Sequence, residues 1–515
     1  MAKNQKPQPE GWRTTRTERI NYYIGDIGRS LEGYIVTAMM TLFLLFQGID
    51  LIKVSAAILA VKIIDAFDDI IFGFFIDKLD IKKSKLLGKL AGEGKYLPWY
   101  RATFFLFPIF TVIFFLMPQN APEAVKLIWF TVTYLLYDFT YTLVEVPMNS
   151  MIVSLTDNME ERDTILKNKG ILAGIFTMLA GVIWTVLISE HVGLPIQAVA
   201  LVSSVLFFFM MLPLATKVKE HNAELKNTEE AQSAEHYSFK DMLGCIKTNK
   251  YVFIILVSVL LYTGLQTGGS LGTYASFYLY GNSLILIIPI AIAFIPQTIA
   301  QLNTDRLCRK FGKKKVFLVC GLLGAGIYSL IYFSGYHNFA MITVLLVLQA
   351  MPGNISQIAK TFFTPDTIEY TRYKTGKDCS GIFFSLNAFV NKLSSSISAS
   401  LGLFLLGLSE WVPVKAESFE ELAALNVTQT QGALDSLWII YMLIPAIGTI
   451  LSVLVMVFYK LKDKDVALMA KCNAGEITRE ECEAQLSRKY QMHCKRACGL
   501  SRARFEKADE YAQIT

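Results

Sequence analysis

Residues 62–78 read Lys62-Ile63-Ile64-Asp65-Ala66-Phe67-Asp68-Asp69-Ile70-Ile71-Phe72-Gly73-Phe74-Phe75-Ile76-Asp77-Lys78, with Asp65, Asp68 and Asp69 set among apolar residues. The apolar block, 53–77, has the length a helix rising about 1.5 Å per residue needs to cross a hydrocarbon layer of about 30 Å. The spacings i, i+3 and i+4 put Asp65, Asp68 and Asp69 on one helix face. Each such acid costs about 2.5–3.5 kcal/mol at the centre of a spanning helix. Three adjacent anions also repel one another, so either some are protonated or cations neutralise them. Both outcomes describe a cation-binding site. The bland alternative is burial in ion pairs with Lys62 and basic residues of other helices, but one lysine does not balance three acids.

Outward from that run, blocks of similar length recur at 20–47, 98–118, 126–154, 166–188, 196–215, 250–280, 283–302, 316–335, 339–363, 381–408 and 436–459, twelve spans in all. Hydrophobic residues make up 53% of the 515, and charged residues 18%, below the quarter or so usual in soluble domains. The expected fold is therefore an all-α integral membrane protein with twelve transmembrane helices in two six-helix bundles. Its parts are an N-terminal segment 1–19, a bundle 20–215, a linker 216–249, a second bundle 250–459 and a tail 460–515.

Short loops rich in Lys and Arg stay on the cytoplasmic side. Lys78, Lys82, Lys83, Lys85, Lys89 and Lys95 follow the second span, and Arg306, Arg309, Lys310, Lys313, Lys314 and Lys315 follow the eighth. The opposite loops offer little beyond Lys53 and Lys415, which places both termini in the cytoplasm. The net charge of +6 follows from this loop bias rather than from a nucleic-acid partner. Residues 1–19 are polar and do not read as a cleaved signal, so insertion falls to the first span. The expected location is the plasma membrane, multi-pass, as a monomer in the lipid bilayer. The eight cysteines fall in the ninth span or on the cytoplasmic side, where thiols stay reduced.

The fourth span adds Tyr141, Glu145 and Asn149 one turn apart on one face, with Thr142 beside them. Arg29 in the first span has Asp26 and Glu32 one turn to either side. Lys167 and Lys169 open the fifth span. In the eleventh, Lys392 lies between Asn391 and the run Ser394–Ser396, with Asn387 one turn earlier. A snorkelling lysine is the alternative for Lys392, yet it stands near mid-span, and most of the acids it would balance belong to the first half. The sequence carries no phosphate-binding loop and no His-Glu-x-x-His, so neither ATP-driven pumping nor an enzymatic reaction is expected. No cofactor or resident metal is expected beyond sodium or a proton as the ion bound by the acids. In the tail, Thr478-Arg479-Glu480-Glu481 reads as a capping box opening a short helix. Cys472, Cys482, His493, Cys494 and Cys498 fit no zinc spacing well. Asn426-Val427-Thr428 is a sequon whose use depends on the cell.

Asp77-Lys78 after the second span and Asp305-Arg306…Arg309-Lys310-Phe311-Gly312-Lys313 after the eighth resemble the signature loop of the major facilitator superfamily. Either loop alone is ordinary for a cytoplasmic connection; two of them six spans apart match a chain built from two similar halves. The acids and bases of such loops can pair across helix ends and latch one conformation. Further elements resemble the glycoside-pentoside-hexuronide:cation symporter family, the melibiose permease-like group of that superfamily. They are Asp65-Ala66-Phe67-Asp68-Asp69, Gly94-Lys95-Tyr96-Leu97-Pro98-Trp99, Thr140-Tyr141-Thr142 through Glu145-Val146-Pro147, Asp366-Thr367-Ile368-Glu369-Tyr370, and Lys392.

The resemblance implies symport of a sugar, glycoside or uronide with sodium or a proton by alternating access. It assigns the cation to Asp65, Asp68, Asp69 and Thr142. It assigns the sugar to Glu145, Arg29, Tyr141 and Lys169, with Asn149, Lys392, Asn387 and Asn391 as further candidates. The chain departs from the melibiose pattern at Ser30 and Asn149, where that pattern has an aspartate and a tryptophan, and at Asp68, where it has an asparagine. The first departure removes an acceptor for galactosyl hydroxyls; the last adds a negative charge. Bases at Arg29, Lys169 and Lys392 suit an acidic glycoside. Two other readings stand beside this one: a lysophospholipid or other amphiphile carrier of the same fold, and a non-transporting membrane receptor or scaffold.

Overall fold

Apolar runs of 20 or more residues, broken by Gly, Pro and charge clusters, give long helices joined by short connections. The computed structural model describes residues 11–78, 81–83, 92, 94–221, 249–269, 271–376 and 380–486. Among them every regular element is helical, apart from one isolated antiparallel bridge between Gln47 and Lys415. The helices are α1 (Arg16–Leu45), α2 (Leu51–Lys78), α3 (Leu97–Thr103), α4 (Leu106–Phe115), α5 (Glu123–Leu155), α6 (Met159–Ile188) and α7 (Ile196–Lys217). There follow α8 (Lys250–Gly264), α9 (Gly272–Tyr280), α10 (Ile287–Phe311), α11 (Lys313–Ser334), α12 (Phe339–Thr361), α13 (Phe363–Thr375) and α14 (Ser380–Gly407). The last are α15 (Phe419–Ala424), α16 (Gln431–Trp438), α17 (Ile444–Val457), α18 (Asp463–Asn473) and α19 (Arg479–Gln485).

Among the described residues nine helices, or runs of two nearly continuous helices, are long and apolar enough to cross a membrane. The expected spans outside that group are the first, second and seventh. Charges inside α1 and α2 lower their hydropathy, and α8 has only 15 residues. The apolar block of the seventh span predicts one helix over 250–280. It breaks at Leu265–Leu271, where a Cβ on Gly268 would lie 2.9 Å from the Tyr441 carbonyl oxygen. Glycine there lets the chain cross another backbone closely. The twelfth span is also interrupted, by a π-helical turn at Ile439–Leu443 just before Pro445, whose missing N–H an ordinary helix would leave as a gap.

Contacts fall into two sets. In the first, α1 packs on α6 and α7, α2 on α5, and α4 on α5 and α7; in the second, α12 packs on α10 and α11, α8 on α14 and α17, and α11 on α17. The long seam between the sets runs along α2 and α14. Gly407 makes it close, since a Cβ there would stand 2.9 Å from Ile52 Cγ1 and 3.0 Å from Ile52 N. Two turns back along α14, the Ser400 hydroxyl donates to the Ser55 carbonyl at 2.8 Å.

The connection between α14 and α16 lies as a strap across the first set. Ala416 N–H donates to the Phe46 carbonyl at 3.0 Å, Ile196 N–H to the Glu417 carbonyl at 3.1 Å, and Lys415 Nζ to Asn120 at 2.7 Å. Phe419 packs edge-on against Phe46. Nearby, Ser283 donates to the Glu190 carboxylate. At the opposite end the chain enters α1 and leaves α17.

That opposite end is held within each set. Glu220 accepts from the N–H groups of Lys95, Tyr96 and Leu97 at 2.9, 2.9 and 2.5 Å, satisfying the open amides at the start of α3. Gly94, at φ 110°, leaves room for that carboxylate. The loop after α2 lies mostly outside the described residues. In the loop after α10, Asp305 pairs with Arg309 on its own helix, while Lys313 pairs with Asp366 at 2.6 Å. These bonds tie α11 to α13 and lie within the second set, so they do not bridge the two sets. In the tail, Thr478 and Glu481 form the capping box, and Cys482 is buried in the local core with Cys472 packed against it. His493, Cys494 and Cys498 lie outside the described residues.

Candidate cation and substrate site

The sequence of α5 presents Tyr134, Tyr137, Asp138 and Tyr141 at helical spacing, and all four line a cavity of about 700 Å³ between the two sets of helices. Pro147 lets the α5 helix continue at a modest loss, because the Leu143 carbonyl it fails to bond lies 3.2 Å from the Thr103 hydroxyl of α3. The Tyr137 and Tyr141 rings run nearly parallel at 6.4 Å, and Tyr137 Oη donates to the Gly33 carbonyl at 3.1 Å, fixing α5 against α1. From α1 the cavity takes Arg29, Ser30, Gly33 and Tyr34; from the second set it takes Thr263, Gln266, Lys392, Ser395 and Ser398.

Arg29 is buried and heads a network of mixed charge. Its Nη1 donates to Glu145 at 3.1 Å and reaches Tyr141 Oη at 3.4 Å; its Nη2 donates to Asp26 at 3.2 Å and Ser30 at 3.1 Å. Lys169 of α6 lies 3.4 Å from the same Asp26 oxygen and donates to Asn149 Oδ1 at 2.6 Å. Two cations thus meet two carboxylates. Arg29 Nε and Asp26 Oδ2 are buried without a hydrogen-bond partner, a state uncommon enough to point to a group that completes them.

Asp65 of α2 is the second centre. Its Oδ2 lies 3.0 Å from Lys62 Nζ and 3.4 Å from Tyr134 Oη, and its Oδ1 lies 3.0 Å from Lys392 Nζ of α14. Lys62 also sits over the Tyr134 ring at 4.8 Å. Here one described carboxylate holds two ammonium groups, one from each set of helices. The side chains of Asp68 and Asp69 lie outside the described residues.

Of the residues expected from sequence, the structure brings Arg29, Tyr141, Asp65 and Lys392 onto one cavity wall. Glu145 and Lys169 join through Arg29 and Asp26, and Asn149, exposed, through Lys169. Thr142 is fully buried within α5. Asn391 is exposed and its amide donates to the Asn387 carbonyl of its own helix at 2.8 Å, so neither side chain is shown at the cavity. Sequence reading did not single out Tyr134, Tyr137 and Asp138, although they continue the Tyr141–Glu145 face backward at i−7, i−4 and i−3. Gln266 and Thr263 left no signal, because that stretch reads as uninterrupted helix.

A long helical chain with a polar cavity walled by two sets of helices is the architecture of a secondary transporter. The model of the MFS/sugar transport protein family matches residues 21–463. The chain belongs to that family: it is a multi-pass membrane protein of the transporter class and not an enzyme. It is similar to the isoprimeverose transporter of Lactiplantibacillus pentosus, 24% identical, with 88% of this chain and 90% of the relative covered. It is equally similar, at 24%, to the glucuronide carrier protein homolog of Escherichia coli (strain K12), covering 89% of this chain and 94% of that one. Among solved structures, the nucleoside transporter NupG superposes with a TM-score of 0.55 at 16% identity, covering 87% of this chain and all of that one. That likeness concerns the fold.

Proposed function

We propose that the protein is a cation-coupled symporter that moves a sugar or glycoside through twelve membrane helices by alternating access. The observation that carries this reading is the position of Asp65. It stands on a cavity of about 700 Å³, within the range of small-molecule sites, and joins the two sets of helices through Lys392. A cation at the second-span acids competes with Lys392 for the Asp65 carboxylate. Sodium or a proton arriving there frees α14 from α2, so ion occupancy and the relation of the two bundles become one equilibrium. A ligand moves such an equilibrium only by binding its two states unequally, and the clamp supplies that inequality.

The sugar occupies the tyrosine-walled part of the cavity. Tyr34, Tyr134, Tyr137 and Tyr141 offer flat apolar faces with polar tips, taking over the stacking that Asn149 does not provide. Arg29 and Ser30 offer polar groups to hydroxyls from the α1 side of the cavity. The names of the similar proteins, an isoprimeverose transporter and a glucuronide carrier homolog, support a glycoside as the transported class. With the lysine-rich loops inside, both termini are cytoplasmic and the plasma membrane is the location. The strap then lies on the outer side.

Counterflow of radiolabelled glycosides in liposomes holding the purified protein, with and without sodium and at two pH values, tests this reading. Exchange that rises with sodium or with protons supports it. Exchange of lysolipids alone, or binding with no flux, overturns it.

A further inference from the structure

Two buried cations lie outside both charge clusters among the described residues, Lys126 and Lys360, and they differ in what they meet. Lys360, near the end of α12, is 8% exposed, and its ammonium sits 4.2 Å above the ring of Tyr262 on α8. Among the described residues it has neither a hydrogen-bond acceptor nor a carboxylate. Every other buried cation described here is matched: Arg29 by Asp26 and Glu145, and Lys126 by the Gln47 carbonyl at 2.8 Å. Lys169 and Lys392, half-buried, each have a carboxylate as well. A ring face attracts an ammonium but does not replace the water or anion it has lost.

Lys360 does not itself line the cavity, but its partner Tyr262 adjoins the cavity wall. Tyr251 and Tyr370 touch at 5.3 Å; Tyr262 stands eleven residues further along α8, and Lys360 ten residues before Tyr370, on the preceding helix α12. Both therefore lie about 15 Å of helix rise toward the middle of the molecule. Tyr262 directly precedes Thr263 and stands one turn before Gln266, two residues of the cavity wall. The bases first taken to suit an acidic glycoside, Arg29, Lys169 and Lys392, are already held by Asp26, Glu145 and Asp65.

We infer that Lys360, backed by Tyr262, receives an oxyanion carried by the substrate, a carboxylate or sulfonate on the sugar, while the Arg29 side takes the hydroxyls. This rests on the transport reading above and narrows it to an acidic glycoside. A largely buried ammonium with no other acceptor discriminates strongly against a neutral analogue, because that analogue leaves it unmatched.

The test is counterflow in proteoliposomes with a radiolabelled glucuronide and the matching glucoside, for wild type, Lys360→Gln and Lys360→Arg. Wild type is expected to exchange the glucuronide at least tenfold faster. Lys360→Gln is expected to lose that preference at least tenfold, and Lys360→Arg to retain most of it. Wild type that prefers the glucoside overturns the anion site without any variant being needed, as does Lys360→Gln with an unchanged ratio. Wild type that exchanges neither overturns the transport reading instead.

Discussion

The two charge clusters on the cavity are built from the same residue types and differ in reach. Around Arg29, two cations and two carboxylates from α1, α5 and α6 close a neutral network inside one set of helices. Around Asp65, one described carboxylate serves two lysines drawn from both sets. A balanced network within one rigid body has no reason to open during transport. A carboxylate shared across the seam is released when another cation takes it over. The first cluster therefore shapes a pocket, and the second switches it.

Breaking the balanced cluster is expected to cost most. Arg29→Gln leaves Asp26 and Glu145 without their main partner, a loss of about 3–5 kcal/mol when one member of a buried pair is removed. The variant should unfold at clearly lower temperature in detergent and lose substrate binding. Unchanged melting would show that the network is not structural.

Lys392→Met acts in the opposite direction. It leaves Asp65 paired with Lys62 alone, so the coupling ion no longer competes with a second ammonium. Ion affinity, read by isothermal titration, should rise about tenfold, equivalent to about 1.4 kcal/mol, while melting changes little. A fall in ion affinity would remove Lys392 from the switch.

The seam can be sharpened at Gly407. Gly407→Leu pushes a side chain against the Ile52 backbone, and overpacking of this kind costs about 1–3 kcal/mol. Because that contact holds α14 against α2, cross-linking of Ser55→Cys to Ser400→Cys should fall several-fold in the variant. An undiminished yield would mean that the seam yields elsewhere.

The smallest effect is expected outside the membrane. Arg13 holds the Asp157 carboxyl below the usual aspartate range, chiefly through their hydrogen bond at 3.1 Å. The folded value is lowered, so this contribution is present above the unfolded aspartate value and is lost as pH falls through the lowered folded value. Asp157→Asn should slightly flatten the acid side of the stability profile. A flattening on the alkaline side would contradict the pairing.

The fold was legible where composition decides it. Apolar block length located the long helices to within a few residues of lipid-facing sequence, although several, α6 and α10 among them, run beyond the blocks into charged sequence. Helical periodicity also found Arg29, Tyr141, Glu145 and Asp65, because a charge inside an apolar block stands out. What escaped depends on tertiary contact. The break at Leu265–Leu271 needs the approach of the Tyr441 backbone, and the strap at 411–424 is an ordinary loop until it meets Phe46 and Ile196. Lys360 near the end of a block reads as a boundary lysine; only its burial over Tyr262, without an acceptor, separates it from the loop bases.

The most direct measurement is uptake of the transported glycoside against its gradient in proteoliposomes bearing Asp65→Asn, with counterflow recorded alongside. The amide removes the charge for which the ion and Lys392 compete but keeps the shape of the side chain. The account predicts loss of ion-driven accumulation by at least a hundredfold, with any remaining counterflow insensitive to sodium and pH. Accumulation at the wild-type level, still responding to either ion, would contradict it.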